Sequence, residues 1–437
     1  MSAEPMLFVS TRGQSPAVGL SQAIAAGLAP DGGLYVPQTL PAARTLQPGA
    51  SLAATAADLL APFFAGDALH DALPVICASA FDFAAPLQPL ATAGDHVLEL
   101  FHGPTAAFKD FGARFLAQCL SRLPRPDGQA LTIVVATSGD TGAAVAAAFH
   151  QVPGLEVVVL YPDGRVSPRQ AHQLGCLGDN IHTYKVAGSF DDCQAMAKQA
   201  LADTGLQAQR PLSSANSISL GRLLPQMAYY AHAALVHQAA TGRVLNLVVP
   251  TGNLGNAMAA VLARALGVPL GRIALATNAN AVLPAFFAGG DYLPAASVAT
   301  LANAMDVGAP SNFERLQWLY GDDAAALRGQ FIARSVADAQ IQALIGRRYR
   351  DHGEVFCPHT ACAVAVLEQL REQGIAAAGQ DWAVAATAHP AKFEAVVEPL
   401  IGQALAVPPA LAALLARPAH ADPLPANYPA LQGQLLG

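Results

Sequence analysis

The chain has 437 residues, of which 53% are hydrophobic and 13% charged, and its 24 basic and 31 acidic residues give a formal net charge of −7. This length allows two or three packed units, and the apolar composition excludes a disordered protein. No run of Lys or Arg could follow a phosphate backbone, so nucleic acid is not an expected partner.

We expect no secretory signal in the first residues given. Residues 1–13 lack the basic start and continuous apolar core of a secretory signal. The apolar stretches are interrupted by polar residues, as in 228–240, and are too short to span a membrane. We therefore expect a cytoplasmic protein without membrane contact, in which the six scattered cysteines are reduced thiols.

The organisation changes near residue 95. Residues 1–94 alternate short apolar segments with turn signals and show no repeated strand and helix unit. From Val97 onward, β-branched strands lead into glycine loops and alanine-rich helices, which is typical of a parallel α/β sheet. We predict an N-terminal domain at 1–94 and α/β domains at 95–235 and 236–437, the last ending in a proline-rich segment packed on the surface.

Two strand, glycine loop and helix units are the clearest. One has a strand at 131–136 and a helix ending near His150, and the other a strand at 244–249 and a helix ending near Leu266. Weaker strands are predicted at 155–160 and 384–387. Glycine loops that open helices bind anions, because free backbone N–H groups and the positive helix end point at the ligand. Neither loop has Walker A or dinucleotide spacing, and each could instead be a tight turn.

A third candidate anion site combines Asn216 and Ser217 with Arg222. Amide and hydroxyl groups near a helix start are joined there by a guanidinium that can form a forked contact with phosphate. The alternative is that Arg222 is an ordinary solvated surface charge.

Lysine is rare, with only Lys109, Lys185, Lys198 and Lys392 in the chain. Lys109 opens an alanine-rich helix between Phe108 and Phe111, where desolvation would lower its pKa and free the amine for imine formation. The alternative is that its ammonium reaches solvent between the two rings. Lys198 is predicted to be an exposed residue of an amphipathic helix.

Cys357, His359 and Cys362 lie close enough together to suggest zinc. A structural zinc site usually needs four ligands, and no second pair occurs at metal-ligand spacing. We therefore predict no metal site.

Together these motifs resemble the threonine synthase family. The resemblance extends from about residue 7 to 400 and rests on an ordered set of segments. They are Ser10-Thr11-Arg12-Gly13, Gly27 to Tyr35, Leu100 to Asp110, Thr137-Ser138-Gly139-Asp140-Thr141-Gly142, Thr251-Gly252-Asn253-Leu254-Gly255-Asn256, Ser311 to Arg315 and Thr387 to Phe393.

The resemblance implies a fold-type II pyridoxal-phosphate enzyme with two open, mostly parallel sheets flanked by helices, plus an N-terminal layer. It further implies conversion of O-phosphohomoserine and water to L-threonine and phosphate by γ-elimination and β-addition. Lys109 matches the Schiff-base lysine, and Thr387 matches the partner of the pyridine nitrogen. The match to the cofactor-phosphate cup consists of Gly252, Asn253, Leu254, Gly255 and Asn256.

The same matching implies the substrate contacts. Thr137, Ser138 and Thr141 match the loop that receives the substrate carboxylate. Asn216, Ser217 and Arg222 match residues that hold the substrate phosphate.

Asp140 and Leu254 depart from the family pattern. Asp140 stands where some relatives have asparagine beside the cofactor's 3′ oxygen. A carboxylate there must be protonated or placed differently, because two adjacent oxyanions repel each other. Leu254 stands where phenylalanine is frequent, which affects packing only.

Rival functions remain open from the sequence. Within the same cofactor class the rivals are a serine or threonine dehydratase and a lyase that releases phosphate without forming threonine. From another class, the rival is a non-catalytic cofactor-binding or sensor protein. The chain is expected to act as a monomer or homodimer.

Overall fold

The computed structural model describes residues 5–124, 128–321 and 323–437. The first four residues of the predicted N-terminal domain lie outside these ranges. Within them, the strands form three sheets. The strands are β1 (Leu7–Ser10), β2 (Val18–Gly19), β3 (Tyr35–Pro37), β4 (Leu87–Pro89), β5 (Asp95–Glu99), β6 (Leu131–Ala136), β7 (Leu155–Pro162), β8 (Ile181–Ala187), β9 (Leu212–Ser213), β10 (Leu245–Pro250), β11 (Leu270–Thr277), β12 (Phe331–Ser335), β13 (Asp381–Ala386) and β14 (Asp422–Pro425).

Most of the α-helices follow strands in the chain and pack on the sheets or on one another. They are α1 (Leu20–Ala26), α2 (Leu52–Leu60), α3 (Leu73–Ala80), α4 (Lys109–Leu120), α5 (Asp140–Phe149), α6 (Pro168–Gly175), α7 (Phe190–Ala202), α8 (Thr204–Gln209), α9 (Leu220–Leu223), α10 (Met227–Thr241), α11 (Gly255–Ala265), α12 (Val282–Phe287), α13 (Phe313–Tyr320), α14 (Ala324–Arg328), α15 (Asp338–His352), α16 (Pro358–Glu372), α17 (Glu394–Ile401), α18 (Pro409–Leu415) and α19 (Tyr428–Leu436). Among the described residues, none of these helices combines the length and apolar character needed to cross a bilayer.

The first sheet is a small antiparallel one with strand order β2-β1-β3. Its Phe8 belongs to the same buried cluster as Phe64 after α2 and Phe115 in α4. The rings of Phe64 and Phe115 meet edge to face with centroids 6.1 Å apart, an arrangement that aromatic pairs prefer. The N-terminal layer therefore shares its core with α4, the helix that begins at Lys109.

The largest sheet has six strands in the order β12-β11-β10-β13-β5-β4 and is parallel except for the edge strand β4. The third sheet has five parallel strands in the order β14-β8-β7-β6-β9. Their central strands are buried on both faces, as is typical of parallel sheets covered by helices. The predicted α/β class with two open, mostly parallel sheets is confirmed.

The sheets differ from the predicted domain ranges in three places. Strand β4 lies within 1–94 but pairs with β5, β5 lies within 95–235 but pairs with β13, and β14 near the C-terminus pairs with β8. Parallel pairing needs no closeness in sequence, so segments from one predicted range complete the sheet of another. The division into 1–94, 95–235 and 236–437 stays a prediction.

The individual strands were predicted well where an apolar run is continuous. β6 begins and ends as expected, and β10 and β7 are shifted or extended by one or two residues. β13 begins three residues earlier than predicted, at Asp381. This carboxylate is buried and forms ion pairs with His237 and Arg243, which a hydropathy pattern does not reveal.

Candidate active site

The carboxyl ends of parallel strands from both large sheets meet at one site. Lys109 comes after β5, the loop beginning at Thr137 after β6, the loop beginning at Thr251 after β10, and Thr387 directly after β13. Open parallel sheets generally bind ligands at these ends. The fold therefore gathers the predicted loops, which are far apart in sequence, around one lysine.

Lys109 is held at the start of α4 by backbone bonds to the segment after β13. The N–H of Phe108 donates to the Thr387 carbonyl at 2.8 Å, and the N–H of His389 donates to the Ala106 carbonyl at 3.0 Å. Asp110 accepts hydrogen bonds from the backbone N–H and hydroxyl of Thr105 at 2.9 and 2.6 Å. These contacts fix the turn from which the lysine side chain extends.

Burial, together with the nearby Arg222 and Lys392 cations, lowers the pKa of Lys109 to about 8 against the opposing effect of Asp140. Its Nζ donates to the Thr141 hydroxyl at 2.8 Å and lies 5.4 Å from the centre of the Phe108 ring. The residue keeps some exposed surface because it lines an open cavity. A deprotonated amine is thus accessible near neutral pH, as imine formation requires.

Two cavities meet at Lys109. The larger has a volume of about 270 Å³ and the smaller about 70 Å³. The residues that line both are Lys109, Ser217, Asn253 and Ala304. Lys109 therefore lies at the junction of the two spaces.

The smaller cavity is lined by the whole predicted phosphate cup, by Arg222 and by Thr387. Leu254 precedes α11 in a left-handed conformation with φ of 62°, and no side chain caps this helix. The first N–H groups of a helix have no partner within it, so here they are available to an anion. A side chain at Gly252 would place its Cβ 2.8 Å from the Cα of Met305, which leaves room for glycine only.

Unpaired buried atoms also surround the smaller cavity. Asn256 accepts hydrogen bonds from the hydroxyls of Tyr229 and Tyr230 at 2.5 and 2.8 Å, while its Nδ2 has no partner among the described residues. Arg222 donates to the Ala215 carbonyl at 2.6 Å, and its buried Nε is likewise unpaired in the described part of the chain. Burial lowers the Arg222 pKa only to about 10, so the guanidinium stays charged. Buried donors without partners suit an anionic group.

The larger cavity is lined by the predicted substrate loop. Thr137, Ser138 and Thr141 all contact it at the start of α5. The Thr137 hydroxyl accepts hydrogen bonds from the N–H groups of Gly139 and Gly142 at 3.0 and 2.9 Å, so it shapes its own loop. Residues of the segment 295–311 also line this cavity.

The predicted group of Asn216, Ser217 and Arg222 is divided between the cavities. Asn216 lines the larger one, Arg222 the smaller one, and Ser217 both. Ser217 accepts a hydrogen bond from Asn253 at 2.8 Å, which ties it to the glycine loop. Arg222 is only 2% exposed, so it is not the solvated surface charge that the sequence left as an alternative.

Asp140 contacts other buried groups of the protein. It is buried and does not line either cavity within the described residues. Its Oδ1 contacts Lys392 Nζ at 2.8 Å and accepts a hydrogen bond from Gln170 at 3.0 Å. Burial disfavours the carboxylate, but Lys392 and His359 outweigh this effect, and the pKa of Asp140 falls to about 2. The carboxylate is therefore ionised and compensated rather than protonated.

Several residues at the site escaped the sequence reasoning. Lys392 is fully buried beside Asp140. In the sequence, only the rarity of lysine and its place in the last motif pointed to it. Lys198 is exposed as predicted, yet it lines the larger cavity. His359 was considered only as a zinc ligand.

His359 lines the smaller cavity and accepts a hydrogen bond from the Ala304 N–H at 3.1 Å. Burial lowers its pKa to about 4, so the imidazole is neutral. Cys357 and Cys362 make protein contacts instead, with Thr360 and with the Thr277 carbonyl. Cys357 Sγ also lies 3.8 Å from His359 Nδ1, so two of the three residues contact each other.

The arrangement fits pyridoxal phosphate. An amine of lowered pKa lines a cavity that is also lined by a glycine cup, free helix N–H groups and a buried guanidinium. Thr387 lines the same cavity and carries a neutral hydroxyl suited to a ring nitrogen. Lys109 would hold the cofactor's aldehyde carbon, and the cup would hold its phosphate.

Comparison with protein-family models gives three matches. Residues 96–388 match a family described as pyridoxal-phosphate dependent enzyme. Residues 7–81 match the threonine synthase N terminus, and residues 360–434 match the threonine synthase C-terminal family.

Known relatives extend over the whole chain. Threonine synthase from Serratia marcescens is 39% identical, with 99% of both chains covered. The crystal structure of threonine synthase from Escherichia coli superimposes with a TM-score of 0.89 at 37% identity, covering 99% of each chain. A pyridoxal-phosphate-bound threonine synthase from Brucella melitensis gives a TM-score of 0.88 at 34% identity, again with 99% coverage of each.

Proposed function

The chain belongs to the threonine synthase family of pyridoxal-phosphate-dependent enzymes, and from this premise we propose that its substrate is O-phosphohomoserine, converted with water to L-threonine and phosphate. The observation that supports this most directly is the position of Lys109 at the junction of two cavities. One cavity suits the cofactor phosphate, and the other has room for a small anionic amino acid.

In the smaller cavity, we assign residues to the cofactor. Gly252, Asn253, Leu254, Gly255 and Asn256 would surround its phosphate. Thr387 would contact the pyridine nitrogen. A neutral hydroxyl cannot hold that nitrogen protonated as a carboxylate would, which favours elimination over transamination.

In the larger cavity, we assign Thr137, Ser138 and Thr141 to the substrate carboxylate. They lie at the start of α5, where the helix end favours negative charge. Asn216 and Ser217, together with Arg222 in the adjoining smaller cavity, would contact the substrate phosphate. The substrate is thereby oriented with its amine toward Lys109.

The net reaction breaks the bond between Cγ and the phosphate oxygen and forms a bond between Cβ and the oxygen of water. Cγ gains one proton and becomes the methyl group of threonine, Cβ loses one proton, and Cα loses its proton and regains it along the way. Pyridoxal phosphate supplies an electron sink for the negative charge that develops on the substrate carbons. Lys109 is placed to accept and return these protons, since its pKa of about 8 lies close to neutral pH.

The proposal is tested by incubating the purified, cofactor-loaded protein with O-phosphohomoserine and measuring phosphate and threonine together. Equal amounts of the two products are expected. Phosphate without threonine would identify the rival lyase, and ammonia release from serine or threonine would identify a dehydratase. No turnover with an intact cofactor spectrum would favour the sensor protein.

Lys109→Ala provides the central variant. Loss of this amine should lower turnover by at least about 10²- to 10⁴-fold, as for a lost acid–base group. Borohydride reduction of the wild-type protein should attach the cofactor to Lys109. Attachment to another lysine would contradict the assignment.

We also propose that the enzyme works in the cytoplasm as a monomer or homodimer.

A further inference from the structure

The motif Ser311 to Arg315 has no part in the proposed chemistry, yet it joins the N-terminal layer to the rest of the molecule. In the small antiparallel sheet, Tyr35 pairs with Ser10. Arg315 is only 1% exposed, and its Nε and Nη2 donate to the Tyr35 carbonyl at 3.2 and 2.9 Å. A buried guanidinium of α13 is thus attached to the backbone of the N-terminal layer.

The remaining hydrogen bonds of Arg315 lead to the cavity walls. Nη2 also donates to the Ile218 carbonyl at 2.7 Å, and Nη1 donates to Asn312 Oδ1 at 2.6 Å. Asn312 Nδ2 in turn donates to the Asn253 carbonyl at 2.9 Å. Asn253 Nδ2 donates to the hydroxyl of Ser217, the residue before Ile218, at 2.8 Å. The five residues therefore form a closed hydrogen-bonded ring.

Two members of the hydrogen-bonded ring lie where the cavities meet. Ser217 and Asn253 each line both the larger and the smaller cavity, whereas Arg315 lines neither within the described residues. A guanidinium presents its donors in one rigid plane, so it can hold several acceptors at fixed positions. Arg315 therefore fixes the loop that contains Ser217 relative to the glycine loop that contains Asn253.

The charge of Arg315 is buried among neutral acceptors. Its four hydrogen bonds in the described part of the chain all go to carbonyl or amide oxygens. The neighbouring Glu314 instead accepts a hydrogen bond from the Thr11 hydroxyl at 2.8 Å and pairs with Arg12 at 3.0 Å. That ion pair is partly exposed, and exposed pairs contribute little to stability. Arg315 is thus the stronger link between the N-terminal layer and the site.

We propose that Arg315 is a positioning residue, which sets Ser217 and Asn253 at the junction of the two cavities and makes their placement depend on the N-terminal layer. The inference rests on the proposed function for the identity of the substrate. Arg315 touches neither ligand and acts through the hydrogen-bonded ring. It affects the binding of cofactor and substrate more than the chemical step.

The test compares Arg315→Lys, Arg315→Met and wild type. Lysine keeps the charge but has one donor atom for three separate acceptors, whereas methionine removes the charge as well. Arg264→Met is the matched control, because Arg264 donates to the neutral Gly271 carbonyl and Tyr320 hydroxyl and lines neither cavity in the described ranges. Equilibrium dialysis of the cofactor-free protein measures the affinity for pyridoxal phosphate. KM and kcat for O-phosphohomoserine are measured at saturating cofactor.

Both Arg315 variants should bind pyridoxal phosphate about tenfold more weakly, because a hydrogen bond to a charged group typically contributes about that factor. KM for O-phosphohomoserine should rise by a similar factor, and kcat should change less than KM. Arg264→Met should match wild type in all three quantities. In a Ser217→Ala background, Arg315→Lys should raise KM by a smaller factor than in wild type, because both residues act through one hydrogen-bonded ring.

Wild-type cofactor affinity and KM in Arg315→Lys would overturn the inference, because the charge alone would then account for the residue. A loss of stability toward urea with unchanged cofactor affinity and KM would also overturn it, since the role would then be structural only.

If neither Arg315 variant folds, Asn312→Ala decides the question. It breaks the hydrogen-bonded ring between Arg315 and Asn253 and should weaken the binding of pyridoxal phosphate, whereas unchanged binding would overturn the inference. Failure of the proposed function is recognised separately, because wild type would then form no threonine. The cofactor affinities of the variants would still decide the role of Arg315.

Discussion

Lys392→Met removes the buried partner of Asp140 and leaves the carboxylate where it is. Lys392 is fully buried, contacts Asp140 Oδ1 at 2.8 Å and donates to the Thr105 carbonyl at 2.8 Å. Gln170 remains as a donor to Asp140, and Gln173 remains as a donor to the Thr105 carbonyl at 3.3 Å. The main loss is therefore the compensation of a buried negative charge.

The magnitude follows from the burial of both groups. Removing one partner of a buried ion pair typically costs about 3 to 5 kcal/mol. The Asp140 pKa of about 2, against 3.8 for the free side chain, corresponds to about 2 kcal/mol of stability at neutral pH. Since the variant can neutralise Asp140 by protonation, we expect a loss of about 3 kcal/mol, near the lower end.

The sign of the pH dependence follows from the lowered pKa of Asp140. Its stabilising contribution is fully present above the unfolded pKa of 3.8 and disappears as the pH falls through about 2. The difference in stability between wild type and Lys392→Met should therefore be large at pH 7 and shrink in strong acid.

Urea unfolding of the cofactor-free protein at pH 7 measures this loss without any contribution from bound cofactor. The paired variant Asp140→Asn with Lys392→Met removes both charges and should recover at least half of the lost stability. The two single variants and the paired one form a double-mutant cycle. A loss below about 1 kcal/mol in Lys392→Met, or no recovery in the paired variant, would refute the reasoning.

Two further predictions concern the smaller cavity. Gly252→Ala should weaken binding of pyridoxal phosphate by about tenfold or more, because the added Cβ would lie 2.8 Å from the Met305 backbone. The affinity is measured by equilibrium dialysis. An unchanged affinity would contradict the tight fit of the cup. The pKa of His359 is about 4 in the folded protein, against 6.5 for the free side chain. As the pH falls from 6.5 to 4, the unfolded chain therefore takes up a proton before the folded protein does, and His359 should lower the free energy of unfolding by about 3 kcal/mol over this range. His359→Gln should remove this pH dependence from acid-unfolding curves.

The sequence by itself determined the fold class and the apolar setting of Lys109. Continuous apolar runs predict β6, β7 and β10, because a strand buried on both faces needs such a run. The aromatic and small residues around Lys109 predict its desolvation, because they adjoin it in the chain. Local patterns of this kind survive folding, and the structure confirms both, with the Lys109 pKa lowered to about 8.

Only the tertiary structure decided which charged groups meet. Asp140 forms an ion pair with Lys392, which lies in the opposite half of the chain. Arg222 lines the smaller cavity, and Lys198 lines the larger one. Parallel pairing likewise joins β5 to β13 and β14 to β8. Parallel strands and buried ion pairs connect residues without regard to their separation in sequence, so no local pattern encodes these partners.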